Sequence, residues 1–196
     1  MVSEQGEADC ASRRGLLRAA GAGVAGATAL LLSACGGSNH SSTQSTVTSG
    51  PVHSTPDAQL LNSLLDLEHL GIAAYTAGIP LLTPAGRKDG QLFLKQELSH
   101  AGELAGLVHQ AGGKPNKAKP TYDLGHPRTG DDVLSLLHRI ERAQIAAYLR
   151  AIPKVSLGST RAALAAVLAN DAQHLSVVRV ALGRRPIPDA TVNGHE

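Results

Sequence analysis

The chain has 196 residues, of which 42% are hydrophobic and 17% charged, and its formal net charge is +2. These values are ordinary for one globular domain, and so small a positive charge, without a basic stripe or stacking aromatics, argues against a nucleic-acid partner. The apolar residues are mostly Ala and Leu, and β-branched residues form no alternating runs, so composition favours an all-α fold. Both cysteines, Cys10 and Cys35, precede the region that can fold, so no disulfide within the domain is expected.

The first 35 residues have the layout of an export signal. A polar stretch containing Arg13 and Arg14 precedes an apolar stretch, which ends in Leu-Ser-Ala-Cys35. The arginine pair resembles a twin-arginine signal, and the last four residues resemble a bacterial lipobox, in which Cys35 becomes the lipidated first residue of the mature protein. We therefore expect a cell-membrane lipoprotein on the extracytoplasmic face. The alternative is an uncleaved membrane anchor, which leaves the domain on the same side.

The rest of the chain divides into three parts by composition. Residues 36–55 are dominated by Ser, Thr and Gly, which cannot bury enough apolar area to fold, so they predict a flexible tether. Helical patterning extends over residues 56–185, and a flexible tail is expected over residues 186–196. Function is therefore expected in the domain that begins at Pro56.

Start signals divide this domain into four helices. Thr55 and Thr83, each followed by proline, begin the first two, the segment from Thr129 to Asp132 caps the third, and Gly158 opens the fourth. The stretch from Lys114 to Arg128, with three prolines and few apolar residues, predicts a long connection between helices two and three.

The second half of the domain repeats the first. In each half, a helix with an acid seven residues before a tyrosine is followed by a helix with an acid three residues before a histidine. The matching residues are Glu68, Tyr75, Glu97 and His100 in the first half and Glu141, Tyr148, Asp171 and His174 in the second. Such a duplication predicts a pseudo-two-fold axis along the bundle, on which side chains from both halves meet.

Six of these residues lie on the apolar seams of their helices and are expected to point inward: Glu68, Glu97, His100, Glu141, Asp171 and His174. Four carboxylates in an apolar core would lose hydration and repel one another, at a cost of several kcal/mol for each unpaired ion. No Lys or Arg shares these seam positions, so protons or metal cations must compensate, and the two histidines favour metal. The alternative is a metal-free bundle with a protonated, hydrogen-bonded polar core.

This constellation resembles the ferritin-like di-metal carboxylate proteins, antiparallel four-helix bundles in which two helices supply a glutamate and two supply Glu-x-x-His. The resemblance covers roughly residues 57–183 and implies two metal ions, iron or manganese. It implies Glu68 and Glu141 as terminal ligands, one histidine on each metal, and Glu97 and Asp171 as bridges. Asp171 is one methylene shorter than the family's glutamate, which predicts a looser bridge or one weakly bound metal.

Three further side chains lie near these positions. Tyr75 and Tyr148 point about 20° from the direction of the glutamates seven residues earlier. They either hydrogen-bond ligands or are core aromatics whose hydroxyls are satisfied elsewhere. His138, three residues before Glu141, is expected to be solvated or half-buried rather than a ligand.

Three functions are open at this point. The first, implied by the resemblance, is oxidase, peroxidase or catalase-like chemistry at a di-iron or di-manganese centre. The second is a non-catalytic extracytoplasmic metal-binding protein, and the third is a metal-free structural or stress-related bundle. The expected partner is the membrane, through the lipid at Cys35, and the expected state is a monomer or homodimer.

Overall fold

The computed structural model describes residues 55–195, which form an antiparallel bundle of four α-helices with no strand. The helices are α1 (Pro56–Gly78), α2 (Pro84–Gln110), α3 (Gly130–Ala151) and α4 (Gly158–Ala181). The predicted all-α bundle is thus confirmed. The predicted signal with Arg13 and Arg14, the lipidation site Cys35 and tether residues 36–54 lie outside the described residues. Within the described range, no helix combines the length and apolar character needed to cross a membrane.

Local capping chemistry sets the helix boundaries. Thr55 and Thr83 each accept a hydrogen bond from a backbone N–H three residues later, and a proline occupies the start of the helix after each. At the start of α3, Thr129 and Asp132 form a reciprocal capping box. Just beyond α2 and α4 lie glycines with φ angles of +74° and +68°, a left-handed conformation that stops a helix.

α1 lies antiparallel to α3 as well as to α2. Gly78 at the end of α1 faces Val133 near the start of α3, whereas Glu68 contacts Tyr148 near the end of α3. The connection from α2 to α3 therefore has to travel the length of the bundle. It runs along α1, where the Asn116 side chain donates to the carboxylate of Asp66 at 3.0 Å.

The antiparallel pairing corrects the predicted symmetry. A rotation that carries α1 onto α3 must reverse the helix direction, so the pseudo-two-fold axis crosses the bundle and does not run along it. The exchanged contacts show this relation, because Tyr75 reaches Glu141 of the second half while Tyr148 reaches Glu68 of the first.

Two apolar clusters form the core, and a polar layer separates them. One cluster contains Leu65 and Leu104 and lies toward the start of α1; the other contains Phe93 and Val133 and lies toward the end of α1. On every helix the acidic and histidine positions fall between the residues of these two clusters. The apolar clusters therefore exclude water from both ends of the polar layer.

The chain returns to the bundle after α4. Residues 182–195 contain no helix, and Gly194 is buried against α3, where a Cβ would lie 2.6 Å from that of Ala146. The end of the described chain thus covers one side of α3.

Candidate metal centre

The six residues predicted to point inward meet in the polar layer. All are buried, and His100 is the most exposed of them at 9%. They are Glu68 on α1, Glu97 and His100 on α2, Glu141 on α3, and Asp171 and His174 on α4. One mid-height layer therefore receives ligand-type side chains from all four helices.

Four residues form the first of two overlapping groups, which we call the His174 group. Nδ1 of His174 lies 3.3 Å from Oε1 of Glu97 and 3.4 Å from Oε1 of Glu141. With Asp171, these residues offer ligand atoms that all lie within 4.8 Å of one another.

Three residues form the second, or His100, group. Nδ1 of His100 lies 3.5 Å from Oε2 of Glu68 and 3.4 Å from Oδ1 of Asp171. The ligand atoms of this group also lie within 4.8 Å of one another. Asp171 belongs to both groups and therefore connects them.

The free ligand atoms fit metal ions. Among the six candidate ligands, the buried atoms that find no hydrogen-bond partner in the described residues are Glu68 Oε2, Glu97 Oε1, His100 Nδ1, Glu141 Oε2, both Asp171 oxygens and His174 Nδ1. Buried polar atoms rarely stay unpaired, so this concentration at one place needs a compensating group. Ligand atoms about 2.1 Å from a shared ion stand about 3 to 3.5 Å apart, as the histidine and carboxylate atoms do here. The cluster could hold metal ions.

Protons compete for the same atoms. Burial, together with the charges of Glu68 and Glu141, raises the pKa of Asp171 to about 10. Burial alone would lower the pKa of His174, but the nearby carboxylates of Glu141 and Glu97 outweigh that effect and raise the pKa to about 10. Without metal the cluster therefore retains protons at neutral pH, and a metal ion has to displace them.

Two tyrosines donate hydrogen bonds to Glu68 and Glu141. The Tyr75 hydroxyl donates to Oε1 of Glu141 at 2.5 Å, and the Tyr148 hydroxyl donates to Oε1 of Glu68 at 2.6 Å. In each case the second carboxylate oxygen finds no partner in the described part of the chain. Each phenol thus fixes one oxygen of a glutamate. The free oxygen of Glu68 lies 3.5 Å from Nδ1 of His100, whereas in Glu141 the oxygen bound by Tyr75 also lies 3.4 Å from Nδ1 of His174.

Sequence reasoning missed two glutamines that contact the cluster. Nε2 of Gln144 donates to Oε2 of Glu97 at 2.8 Å, and Oε1 of Gln96 lies 2.8 Å from Nε2 of His174. When Nε2 carries the proton of a neutral His174, the lone pair on Nδ1 faces the carboxylates. Gln144 follows Glu141 by three residues and so lies on the same side of α3, a spacing from which its contact with the cluster could have been predicted. The sequence pattern contains no comparable signal for Gln96.

His138 differs from expectation. The sequence predicts a solvated or half-buried residue, but the structure leaves His138 only 4% exposed. Its Nε2 lies 3.4 Å from Nη1 of Arg179 and 3.3 Å from Nη1 of Arg184. Burial and the surrounding arginines lower its pKa to about 4, so it accepts hydrogen bonds as a neutral ring. His138 belongs to neither ligand group, as expected.

The cluster approaches the surface at His100. A pocket of about 270 Å³ between α2 and α4 is lined by His100, Ser99, Glu103, Val167 and two alanines. Small side chains on α4 keep this side of the bundle open. A small solute could therefore reach the His100 group here.

Comparisons with known proteins agree with this fold. The profile of the family described as ferritin-like domain matches residues 56–184, and the chain belongs to that family. The structure is similar to the crystal structure of a conserved hypothetical protein, rv2844, from Mycobacterium tuberculosis, with a TM-score of 0.62 and 20% identity. That match covers 64% of this chain and 96% of the other, and at this identity it shows the fold alone. No match was found among curated proteins.

Proposed function

We propose that this protein binds two iron or manganese ions between its four helices and uses them in redox chemistry with oxygen or peroxide. The observation that carries the proposal is the set of buried, unpaired carboxylate and imidazole atoms that face one another in the polar layer. Oxygen ligands with a few imidazoles suit iron and manganese. Two such ions would supply electrons to, or accept them from, the oxygen species.

The protein's own contribution is to position ligands and exclude water. Glu97, Glu141, Asp171 and His174 would hold one ion, and Glu68, His100 and Asp171 the other. Tyr75 keeps Glu141 oriented and Tyr148 keeps Glu68 oriented, as their hydrogen bonds indicate. The apolar clusters on either side keep bulk water away, so the pocket beside His100 is the route by which we propose that small reactants arrive.

Non-catalytic metal binding is the second candidate, since the same free atoms support it. The lipobox resemblance at Cys35 leads us to propose, on sequence alone, that the site operates on the extracytoplasmic side of the cell membrane. There it would either consume oxygen species or sequester a metal ion. Catalytic turnover of oxygen or peroxide distinguishes the redox function from metal binding without catalysis.

Metal content provides the first test. The purified protein, loaded with Fe²⁺ or Mn²⁺ and desalted, is measured by mass spectrometry beside Glu97→Gln and Glu141→Gln, with Asp89→Asn as the matched control. Asp89 lies on α2 but is exposed and belongs to neither ligand group. We expect two ions per chain in the wild type and the control, and loss of the ion held by the His174 group in both glutamate variants.

Reactivity provides the second test. Oxygen consumption after Fe²⁺ addition, or peroxide loss with the Mn²⁺-loaded protein, would support the redox function. Stoichiometric metal without either reaction would refute the redox function and support metal binding without catalysis. A wild-type chain that retains no metal would refute both and favour a metal-free bundle.

A further inference from the structure

We propose that Gln144 and Gly71 together restrict Glu97 to a single metal-binding oxygen, so that Asp171 alone offers two oxygens and the two metal positions differ in affinity. The proposal rests on the proposed function, because it concerns how the same cluster divides its ligands. It assigns a positioning role to two residues that the ligand pattern does not include.

The Gln144 amide occupies one oxygen of Glu97. Nε2 of Gln144 donates to Oε2 of Glu97 at 2.8 Å, and both side chains are fully buried. The other oxygen, Oε1, lies 3.3 Å from Nδ1 of His174 and 3.8 Å from Nδ1 of His100. While the amide stays in place, Oε2 is turned toward Gln144, and Oε1 is the oxygen of Glu97 that faces the histidines without a hydrogen-bond partner in the described residues.

Gly71 creates the space for this contact. A Cβ at position 71 would lie 2.6 Å from Oε2 of Glu97 and 3.1 Å from Nε2 of Gln144. The first distance is too short for any side chain, so a larger residue would push the carboxylate away from the amide. The hydrogen bond thus depends on a glycine in the facing helix.

The internal repeat shows that only one of its two halves can supply an amide like that of Gln144. Gly71 in α1 is the counterpart of Gln144 in α3, at the same offset of 73 residues that relates Glu68 to Glu141. One half of the duplication supplies the amide, and the other supplies the empty space. The two matching acids, Glu97 and Asp171, therefore cannot both accept a hydrogen bond from this position of the repeat.

Asp171, the counterpart of Glu97, is left free. Both of its oxygens are buried without a hydrogen-bond partner in the described range, and the residue belongs to both ligand groups. The position that would supply its amide partner, by the repeat, is Gly71, which has no side chain. Asp171 can therefore face both metals, despite being shorter than glutamate.

Unequal binding follows from the ligand sets. The His174 group offers four residues, including Oε1 of Glu97, whereas the His100 group offers three and shares Asp171. More carboxylates give a cation more electrostatic stabilisation in a buried site. We expect the His174 group to bind first, with a dissociation constant at least about tenfold lower than that of the His100 group.

Titration with Mn²⁺ tests the inference, with free Mn²⁺ followed by electron paramagnetic resonance. The variant Gln144→Met preserves length but removes the donor, so Glu97 can turn its second oxygen toward the His100 group. We expect the ratio of the two dissociation constants to fall by about fivefold or more. Gln173→Met, on an exposed position of α4, is the matched control and should keep the wild-type ratio.

A second variant guards against misfolding of the first. Gly71→Ala places a methyl group against Oε2 of Glu97 and should separate it from the amide, with the same fall in the ratio. Two wild-type sites of equal affinity, or an unchanged ratio in whichever variant retains wild-type helicity, would overturn this inference and leave the proposed metal centre standing. A wild type that binds no Mn²⁺ and no Fe²⁺ would overturn both.

Discussion

Replacing Asp171 by asparagine should change stability in opposite directions with and without metal. In the metal-free protein Asp171 lies among other buried acids, and burial together with the charges of Glu68 and Glu141 raises its pKa to about 10. An asparagine of the same shape has no charge to desolvate, so Asp171→Asn should stabilise the metal-free fold. It should also remove the residue shared by both ligand groups, so added metal should stabilise the variant far less than the wild type.

The size of the gain depends on pH. The ordinary pKa of the group is 3.8, and between that value and about 10 the folded protein holds a proton that the unfolded chain has lost. Because the folded state binds more protons in this window, stability falls as pH rises, by about 1.4 kcal/mol per pH unit. At about pH 7 the accumulated cost is on the order of several kcal/mol, and at about pH 5 it is less than half of that. Asparagine incurs neither.

Urea unfolding in the presence of a chelator, at these two pH values, measures the free energy of unfolding of the wild type and of the variant. The expected result is a stabilisation of Asp171→Asn that grows with pH, while the exposed-site control Asp89→Asn follows the wild type. A gain that is the same at both pH values, or a loss of stability at neutral pH, would refute the claim that keeping the Asp171 carboxyl protonated destabilises the metal-free fold.

Two further substitutions test the supporting contacts. Tyr148→Phe removes the 2.6 Å hydrogen bond to Glu68 and should weaken metal binding about tenfold, measured by equilibrium dialysis; an unchanged affinity would mean that the hydroxyl does not orient the ligand. Gly78→Ala brings a methyl group to 2.5 Å from Cγ1 of Val133. It should lower stability by about 1 to 3 kcal/mol in thermal unfolding, and an unaltered midpoint would contradict the close crossing of α1 and α3.

Local sequence signals were sufficient for the helices and for most of the candidate ligands. Thr-Pro pairs and terminal glycines act within a single turn of backbone, so they can be recognised without knowing the partners of a helix. The seam positions of Glu68 and Glu141 follow from helical periodicity alone. The internal repeat then related the two halves and indicated that their acids and histidines serve one site.

Contacts between helices could not be read in the same way. The crossed pairing of Tyr75 with Glu141 follows from the antiparallel direction of α1 and α3, which periodicity does not specify. His138 has the spacing of a half-buried residue on α3, yet Arg179 and Arg184 from the other end of the chain cover it.

The sequence by itself thus determined an all-α bundle with a duplicated set of inward acids and histidines, because each of those features depends on the order of residues along one helix. Only the tertiary structure decided which oxygens remain free. Gln144 occupies one oxygen of Glu97 where Gly71 gives it room, while both oxygens of Asp171 stay unpaired among the described residues. The physical reason is that a hydrogen bond across helices depends on their register and separation, which arise only when all four pack together.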